Sequence, residues 1–417
     1  MIKSISLNIK YFLNYILKYN LIYFYYIHKL KRLKKLSNIE LDNRKIKKIK
    51  KLLYKSKKSE FYSKLYSHID IDSIHTLNDL KKLPIVTKEM IKGKEESLLT
   101  IPKLFLFKGF TSGSTGSPLT VYYDYLSVLR ENATVWLYRE EKGLKFKQPV
   151  VSLRGNLKKG EVFSFDRFTN TLYLSSYELN KKNIKLYYEL INSFKPKAIL
   201  AYPSSIYLLV TLLKENSYEI NVDLVFTSSE TLYSYQRFFV EKNLSTTIYD
   251  WYGNAERTVA FQQLKNGYYE EPVCYSYCEF EKNRLITTSL NNFSFPLIRY
   301  KVDDIIEVNN LSEITQIIGR EDDVVELQDG TKIGRLDHIF KGVDGIKYAQ
   351  IIQNNLHYID INIVENGFNN DSLALLETKI QERLGDGIKY NIKMINEDEI
   401  KYMKSGKFKM VINNVQK

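Results

Sequence analysis

The sequence predicts an α/β protein in two parts: a large N-terminal domain with mostly parallel sheets and a smaller α+β C-terminal domain. Two observations carry the prediction. From 127 to 250, apolar strands alternate with helices of 10–16 residues, the pattern of a parallel sheet covered by helices. At 268 the pattern switches to hairpins, and after Arg320 a shorter set of strands with one helix runs towards the C-terminus. The 417 residues, 44% of them hydrophobic and 8 of them proline, suffice for two or three domains with a substantial core.

Taken in order, residues 1–60 read as a basic, aromatic helical extension, 61–319 as the large domain and 320–417 as the small one. The stretch 11–27 resembles a membrane segment at first. Asn14, Lys18 and Asn20 interrupt it, however, and it falls short of the ~20 apolar residues that a span requires. No small-residue cleavage site follows, which argues against a secretory signal. Behind it come Lys29, Lys31, Arg32, Lys34 and Lys35, then basic clusters at 44–51 and 55–58.

The basic excess is local. Residues 1–100 hold 23 Lys and Arg against 9 Asp and Glu, and the totals of 62 and 48 then leave 39 of each sign in 101–417. Nucleic acid is not an expected partner, because the charge is not laid over a recognition motif. The extension reads in two ways: as helices packed on the large domain with lysines reaching outward, which is favoured, or as a peripheral anchor on an anionic membrane. Two cysteines, Cys274 and Cys278, are too few for a disulfide framework and point to a reducing, cytoplasmic compartment, the inner face of the membrane included. They read as a pair of strand cysteines in preference to metal ligands, since no second ligand pair lies nearby.

Further on, a short helix is predicted from Leu77, stopped by Pro84, and another from Thr87. Then come helix 127–142, strand 149–153, helix 181–194, strand 198–201, helix 204–216, strand 222–227, helix 230–242 and strand 246–250. Hairpin strands follow at 273–280, 284–289 and 305–308. The small unit has strands near 324–327, 346–354, 358–364 and 388–395 and a helix at 371–384.

Chemistry concentrates first at Lys108-Gly-Phe-Thr-Ser-Gly-Ser-Thr-Gly-Ser-Pro-Leu-Thr120, where every residue from Thr111 to Ser117 is Gly, Ser or Thr. Gly113 and Gly116 allow the backbone close to a ligand, and the hydroxyls of Thr111, Ser112, Ser114, Thr115 and Ser117 with successive N–H groups can cradle an anion. Short strands at 104–107 and 119–123 would place this loop on a hairpin. A flexible linker is the alternative, but linkers do not usually carry apolar strands against both ends. The spacing is not that of the P-loop, whose Gly-Lys-Ser/Thr is absent.

Four other stretches carry polar groups at element ends. Tyr249-Asp-Trp-Tyr-Gly-Asn-Ala-Glu256 turns at Gly253 into a carboxylate at a strand's edge, where α/β sheets place ligand chemistry. Pro296-Leu-Ile-Arg-Tyr-Lys-Val-Asp-Asp304 ends an apolar strand in paired aspartates suited to ribose hydroxyls. Ile318-Gly-Arg-Glu-Asp-Asp323 sits where the pattern changes domain, and Met403-Lys-Ser-Gly-Lys-Phe-Lys409 puts a lysine on a glycine turn.

In this order and spacing the five stretches resemble the adenylate-forming (acyl-activating) superfamily. With Leu83-Pro-x-x-Thr-Lys88 they look most like its phenylacetate–CoA ligase branch, and within it the CapK-like proteins of capsular polysaccharide gene sets. The resemblance spans roughly 45–415. It implies an enzyme that activates a small carboxylic acid as acyl-AMP with ATP and Mg²⁺, then passes the acyl group to coenzyme A, a carrier thiol or an amino sugar. Thr111–Gly116 would hold the β- and γ-phosphates. Glu256 would bind Mg²⁺, and Ser229 and Glu230 would line the adenine and acyl pocket with Tyr252 and Gly253 beside them. Asp304 would hold the ribose hydroxyls, supported by Arg320. Asp322 would be the hinge of the small domain, and Lys407 would bridge the attacking carboxylate and the α-phosphate. Two departures stand out: Ala255 where relatives commonly have Ser or Thr, and Lys301-Val302-Asp303 in place of Arg-Thr-Gly. The competing class is a non-catalytic scaffold of a membrane-surface glycan assembly, which residues 1–60 alone support.

Overall fold

The computed structural model describes residues 2–111, 119–158, 160–281, 284–311, 313–320, 324–328, 332–333, 336–340, 343–385, 388–402 and 408–415. Its large unit is organised on a twelve-stranded mixed sheet. Five neighbouring strands, Thr247–Gly253, Leu224–Ser228, Ala198–Ala201, Val150–Arg154 and Thr171–Ser175, run parallel in that order. Helices Ile184–Phe194, Pro203–Glu215 and Ser234–Leu244 connect them. Every residue of Leu224–Ser228 is buried, as expected of a strand covered on both faces, and for that reason these strands read as apolar runs.

The strands expected at 273–280, 284–289 and 305–308 belong to an antiparallel extension of the same sheet, which runs through Ala260–Gln263, Tyr269–Glu270, Ile314–Arg320, Tyr300–Val308, Arg284–Ser289 and Ser276–Glu281. An unexpected hairpin, Phe163–Asp166 with Thr171–Ser175, closes the other edge. Cys278 lies on a strand, but Cys274 precedes it in a left-handed turn (φ 53°), so the two are not a strand pair.

At the N-terminus the extension packs on the body. Helix Ile2–Lys18 lies along the edge hairpin: Tyr11 shares a 2.8 Å hydrogen bond with Ser164, and Phe12 meets Phe168 with ring centroids 5.3 Å apart. Helix Leu21–Leu33 buries Tyr23 against Leu129 and Ala133 of helix Tyr125–Glu141 and adds ion pairs Lys31–Glu140 (2.8 Å) and Lys34–Glu141 (2.7 Å). Helix Asn38–Ser56, opened by a Ser37–Glu40 capping box, sinks Ile49, Leu52 and Leu53 into a core shared with Tyr62, Tyr66 and Phe295. An apolar strip remains open on the first two helices, including Ile9, Leu13, Leu17 and Leu21. No described helix is long and apolar enough to cross a membrane.

The C-terminal unit is a four-stranded sheet ordered Lys389–Met394, Tyr358–Glu365, Ile346–Gln353, Val411–Asn413, with helix Asn370–Leu384 packed on it. It docks on helix Pro203–Glu215, where Tyr348 meets Tyr207 and Lys347 pairs with Glu215 (3.0 Å) and Glu397 (3.2 Å).

Candidate functional site

Strand Phe107–Phe110 pairs antiparallel with Thr120–Tyr123. The first strand begins at Phe107, not at 104, because Lys103–Phe105 is a 3₁₀ turn behind Pro102. At the mouth of the hairpin Thr111 and Leu119 clasp each other: Thr111 N–H donates to the Leu119 carbonyl (3.0 Å), and Leu119 N–H to Thr111 Oγ1 (2.9 Å). Ser112, Gly113, Ser114, Thr115, Gly116 and Ser117 lie outside the described residues. Gly109 leaves room for the Tyr123 ring, on which a side chain there would press at 2.7 Å. Tyr123 in turn donates its hydroxyl to the Ala255 carbonyl and ties the hairpin to the turn bearing Glu256.

Beside Thr111 opens a cavity of about 630 Å³. Lining it are Ser229, Glu230, Tyr252, Gly253, Glu256 and Asp304, together with Lys88, Tyr300 and Asp303, and Phe408–Met410 from the C-terminal unit. Residues spread over three hundred positions thus meet in one place. The segment 229–233 is not the start of a helix, as expected from 230; the helix begins at Ser234. Ser229 instead takes a left-handed conformation (φ 72°), and Glu230 accepts from the N–H of Ser204 (3.0 Å) at the start of helix Pro203–Glu215. A carboxylate at a helix N-terminus is favoured by the dipole, so Glu230 pins the bend that forms the wall.

Two hydroxyl–carboxylate pairs define the far side. Tyr252 donates to Asp304 Oδ2 (2.5 Å), and Tyr300 to Glu256 Oε1 (3.3 Å). Burial, then the neighbouring carboxylate, pushes both phenols well above their ordinary range, which keeps them protonated as donors. Asp250, behind them, accepts from Thr227 (2.6 Å) and Tyr269 (2.9 Å), and burial raises its carboxyl. Lys88 reaches the cavity because Val86 is stitched to the strand beginning at Tyr300: Val86 N–H donates to Arg299 O and Lys301 N–H to Val86 O, both at 2.9 Å.

Arg299, quoted in the sequence motif, is not a wall residue. It is buried, grips Glu279 through Nε (3.0 Å) and Nη2 (2.9 Å), and donates to the Leu83 carbonyl (2.6 Å). The backbone of Arg320 lies opposite Asp304 in the antiparallel register. Asp322 and Lys407 fall outside the described residues; Lys407 directly precedes Phe408 in the chain. The sequence reading missed Lys88 as a wall residue and three arginines, Arg139, Arg154 and Arg257, in an adjoining recess. Arg154 left a signal, since it ends an apolar parallel strand at its carboxyl edge.

Comparison with known proteins identifies the fold. A 2-hydroxyisobutyryl-CoA ligase in the postadenylation state, in complex with R3-HIB-AMP, superposes with TM-score 0.72, covering 92% of this chain and 91% of the other at 15% identity. The same ligase in the thioesterification state gives 0.55 over 93% and 92% at 14% identity. The anthranilate CoA ligase AuaEII with anthranoyl-AMP gives 0.54 over 80% and 74% at 12% identity. The fold is that of the adenylate-forming ligases. Residues 325–414 match the CapK C-terminal domain, and the chain is 24% identical to protein CapK of Staphylococcus aureus over 94% of its own length and 93% of that protein's. It is also 23% identical to indoleacetate–lysine synthetase of Pseudomonas savastanoi, over 58% of this chain and 64% of the synthetase.

Proposed function

We propose that the protein activates a carboxylic acid with ATP as an acyl-adenylate and transfers the acyl group to an acceptor, with a place in surface polysaccharide assembly. The observation that carries this reading is the convergence on one cavity of Thr111, Tyr252, Glu256 and Asp304 with the C-terminal Phe408. In the first step a carboxylate oxygen bonds to the α-phosphorus of ATP, and the bond from that phosphorus to the β-bridging oxygen breaks, releasing pyrophosphate. Thr111 and the loop after it receive the departing phosphates, Asp304 accepts the ribose hydroxyls, and Lys407 stabilises charge that grows in the transition state.

Mg²⁺ fits the donor set. It is commonly held by one or two carboxylates plus phosphate oxygens and water, and Glu256 supplies such a carboxylate in a region where the described residues form no cluster of three or more ligating side chains. When bound it neutralises phosphate charge. The second step hands the acyl group to coenzyme A, a carrier thiol or an amino sugar. The domains are read as 61–319 and 320–417, with Asp322 as the hinge between the two steps. The higher score with the postadenylation form supports placing the present arrangement next to that stage.

The test is pyrophosphate release from ATP and Mg²⁺ across a panel of carboxylic acids. Acid-dependent release by the wild type, abolished in Glu256→Gln, is expected. No release with any acid would favour the scaffold reading.

A further inference from the structure

The main cavity continues past Ser229, Trp251 and Gly253–Ala255 into a recess of about 300 Å³. Its charge is one-sided. Arg139, from helix Tyr125–Glu141, Arg154, from the end of strand Val150–Arg154, and Arg257 face a single carboxylate, Glu131. Among the described residues none of the three arginines makes an ion pair, and Arg154 Nε and Arg257 Nη1 are buried without an acceptor. Glu131 is already engaged, accepting from the Tyr275 hydroxyl and from Asn291 Nδ2 (3.1 Å), and burial raises its carboxyl. Burial, then the charge of Arg154, pushes Arg139 down to about 10.

Arg257 is held in place at a conformational cost. It sits in the left-handed region (φ 54°), in a turn where its N–H donates to the Asn254 carbonyl (3.1 Å) while Asn254 Oδ1 accepts from Thr258 N–H (3.0 Å). Ser289 Oγ donates to its carbonyl (3.0 Å), and its guanidinium lies 4.2 Å from the centre of the Tyr123 ring. Buried charges are ordinarily paired, and guanidinium forks match carboxylate and phosphate oxygens two at a time.

We infer that this recess binds an oxyanion, and that the acid the protein activates carries a second carboxylate or a phosphate besides the carboxylate that reacts. The first part stands on the recess alone; the second rests on the acid-activating reading of the main cavity. A plain hydrocarbon tail would leave the arginines desolvated and unpaired, the arrangement that discriminates most strongly against an analogue lacking the polar group.

Calorimetric titration of the full chain, without ATP, with succinate, 3-phosphonopropionate and the half-amide succinamate tests this. The dianions should bind about 10- to 100-fold more tightly than the half-amide, the scale of one charge-assisted hydrogen bond or more. Preference for succinate over the phosphonate would mark a dicarboxylic acid, and the reverse a phosphorylated one. Arg154→Gln and Arg257→Gln should each shrink the preference. Parity between dianion and half-amide in the wild type, absence of any dianion binding at millimolar concentration, or a preference unchanged in both variants would overturn the inference. Pyrophosphate release with the same acids reads the activation step separately. Dianion binding with no release from any acid of the panel would retire the activating reading and leave the oxyanion recess, whereas release only with uncharged-tailed acids would do the opposite.

Discussion

Replacing Arg299 with Met should destabilise the large unit heavily while removing no group that lines the cavity. Arg299 and Glu279 are 4% and 5% exposed, so their pairing is decided almost out of contact with water. The guanidinium donates twice to Glu279, at 3.0 and 2.9 Å, and again to the carbonyls of Leu83 (2.6 Å) and Lys81 (3.2 Å). Removing it strands a carboxylate in the core, an effect of about 3–5 kcal/mol. The double variant Glu279→Gln/Arg299→Met removes the stranded charge as well and should be more stable than Arg299→Met alone. Urea unfolding followed by tryptophan fluorescence is the assay, since both tryptophans, Trp136 and Trp251, lie in the large unit. The loss is read from the midpoint at constant slope. A single variant within about 1 kcal/mol of wild type, which is the range of exposed ion pairs, would refute the buried-clamp reasoning. So would a double variant no more stable than the single one.

Other perturbations follow from the same geometry. Lys48 lies 3.4 Å from the carbonyls of Cys274 and Leu290, and burial pushes its amine down to about 8 from 10.5. Between those values the unfolded chain binds more protons than the folded one, so this group makes stability rise with pH across that window; Lys48→Met should flatten the rise in urea midpoints between pH 8 and 10.5. Asp304→Ala should weaken ATP binding about 10- to 100-fold in equilibrium dialysis, and unchanged affinity would remove Asp304 from the ribose site. Deleting residues 1–40 should expose the surface around Leu129 and Ala133 and yield aggregates in size-exclusion chromatography. A monodisperse truncation that instead loses affinity for anionic vesicles would make the extension an anchor.

The parallel core was legible because strands covered on both faces are apolar runs, as in Leu224–Ser228. The hairpin at Phe163–Asp166 was not. It is a short edge strand on which Phe163 and Phe165 stay exposed, so alternation there marks no core. Strand Ile314–Arg320 was hidden by the acidic run after it, which reads as a connection. The late start of helix Ser234–Leu244 has a local cause: Ser-Ser-Glu-Thr at 228–231 looks like a cap, yet Ser229 is left-handed and Glu230 caps a different helix. At the site, residues in local motifs could be found one by one. Arg139 could not, because an arginine late in a helix reads as solvated until another chain segment closes over it.

Direct detection of the intermediate tests the central claim. The wild type, quenched after mixing with ATP, Mg²⁺ and a responsive acid, should contain acyl-AMP by mass spectrometry, with one pyrophosphate formed per adenylate. In Lys407→Ala the adenylate should form at least ~10²-fold more slowly, the scale of one preorganised charge aimed at the transition state. ATP consumed to ADP and phosphate, or an acyl product formed without AMP, would contradict acyl-adenylate chemistry in this cavity.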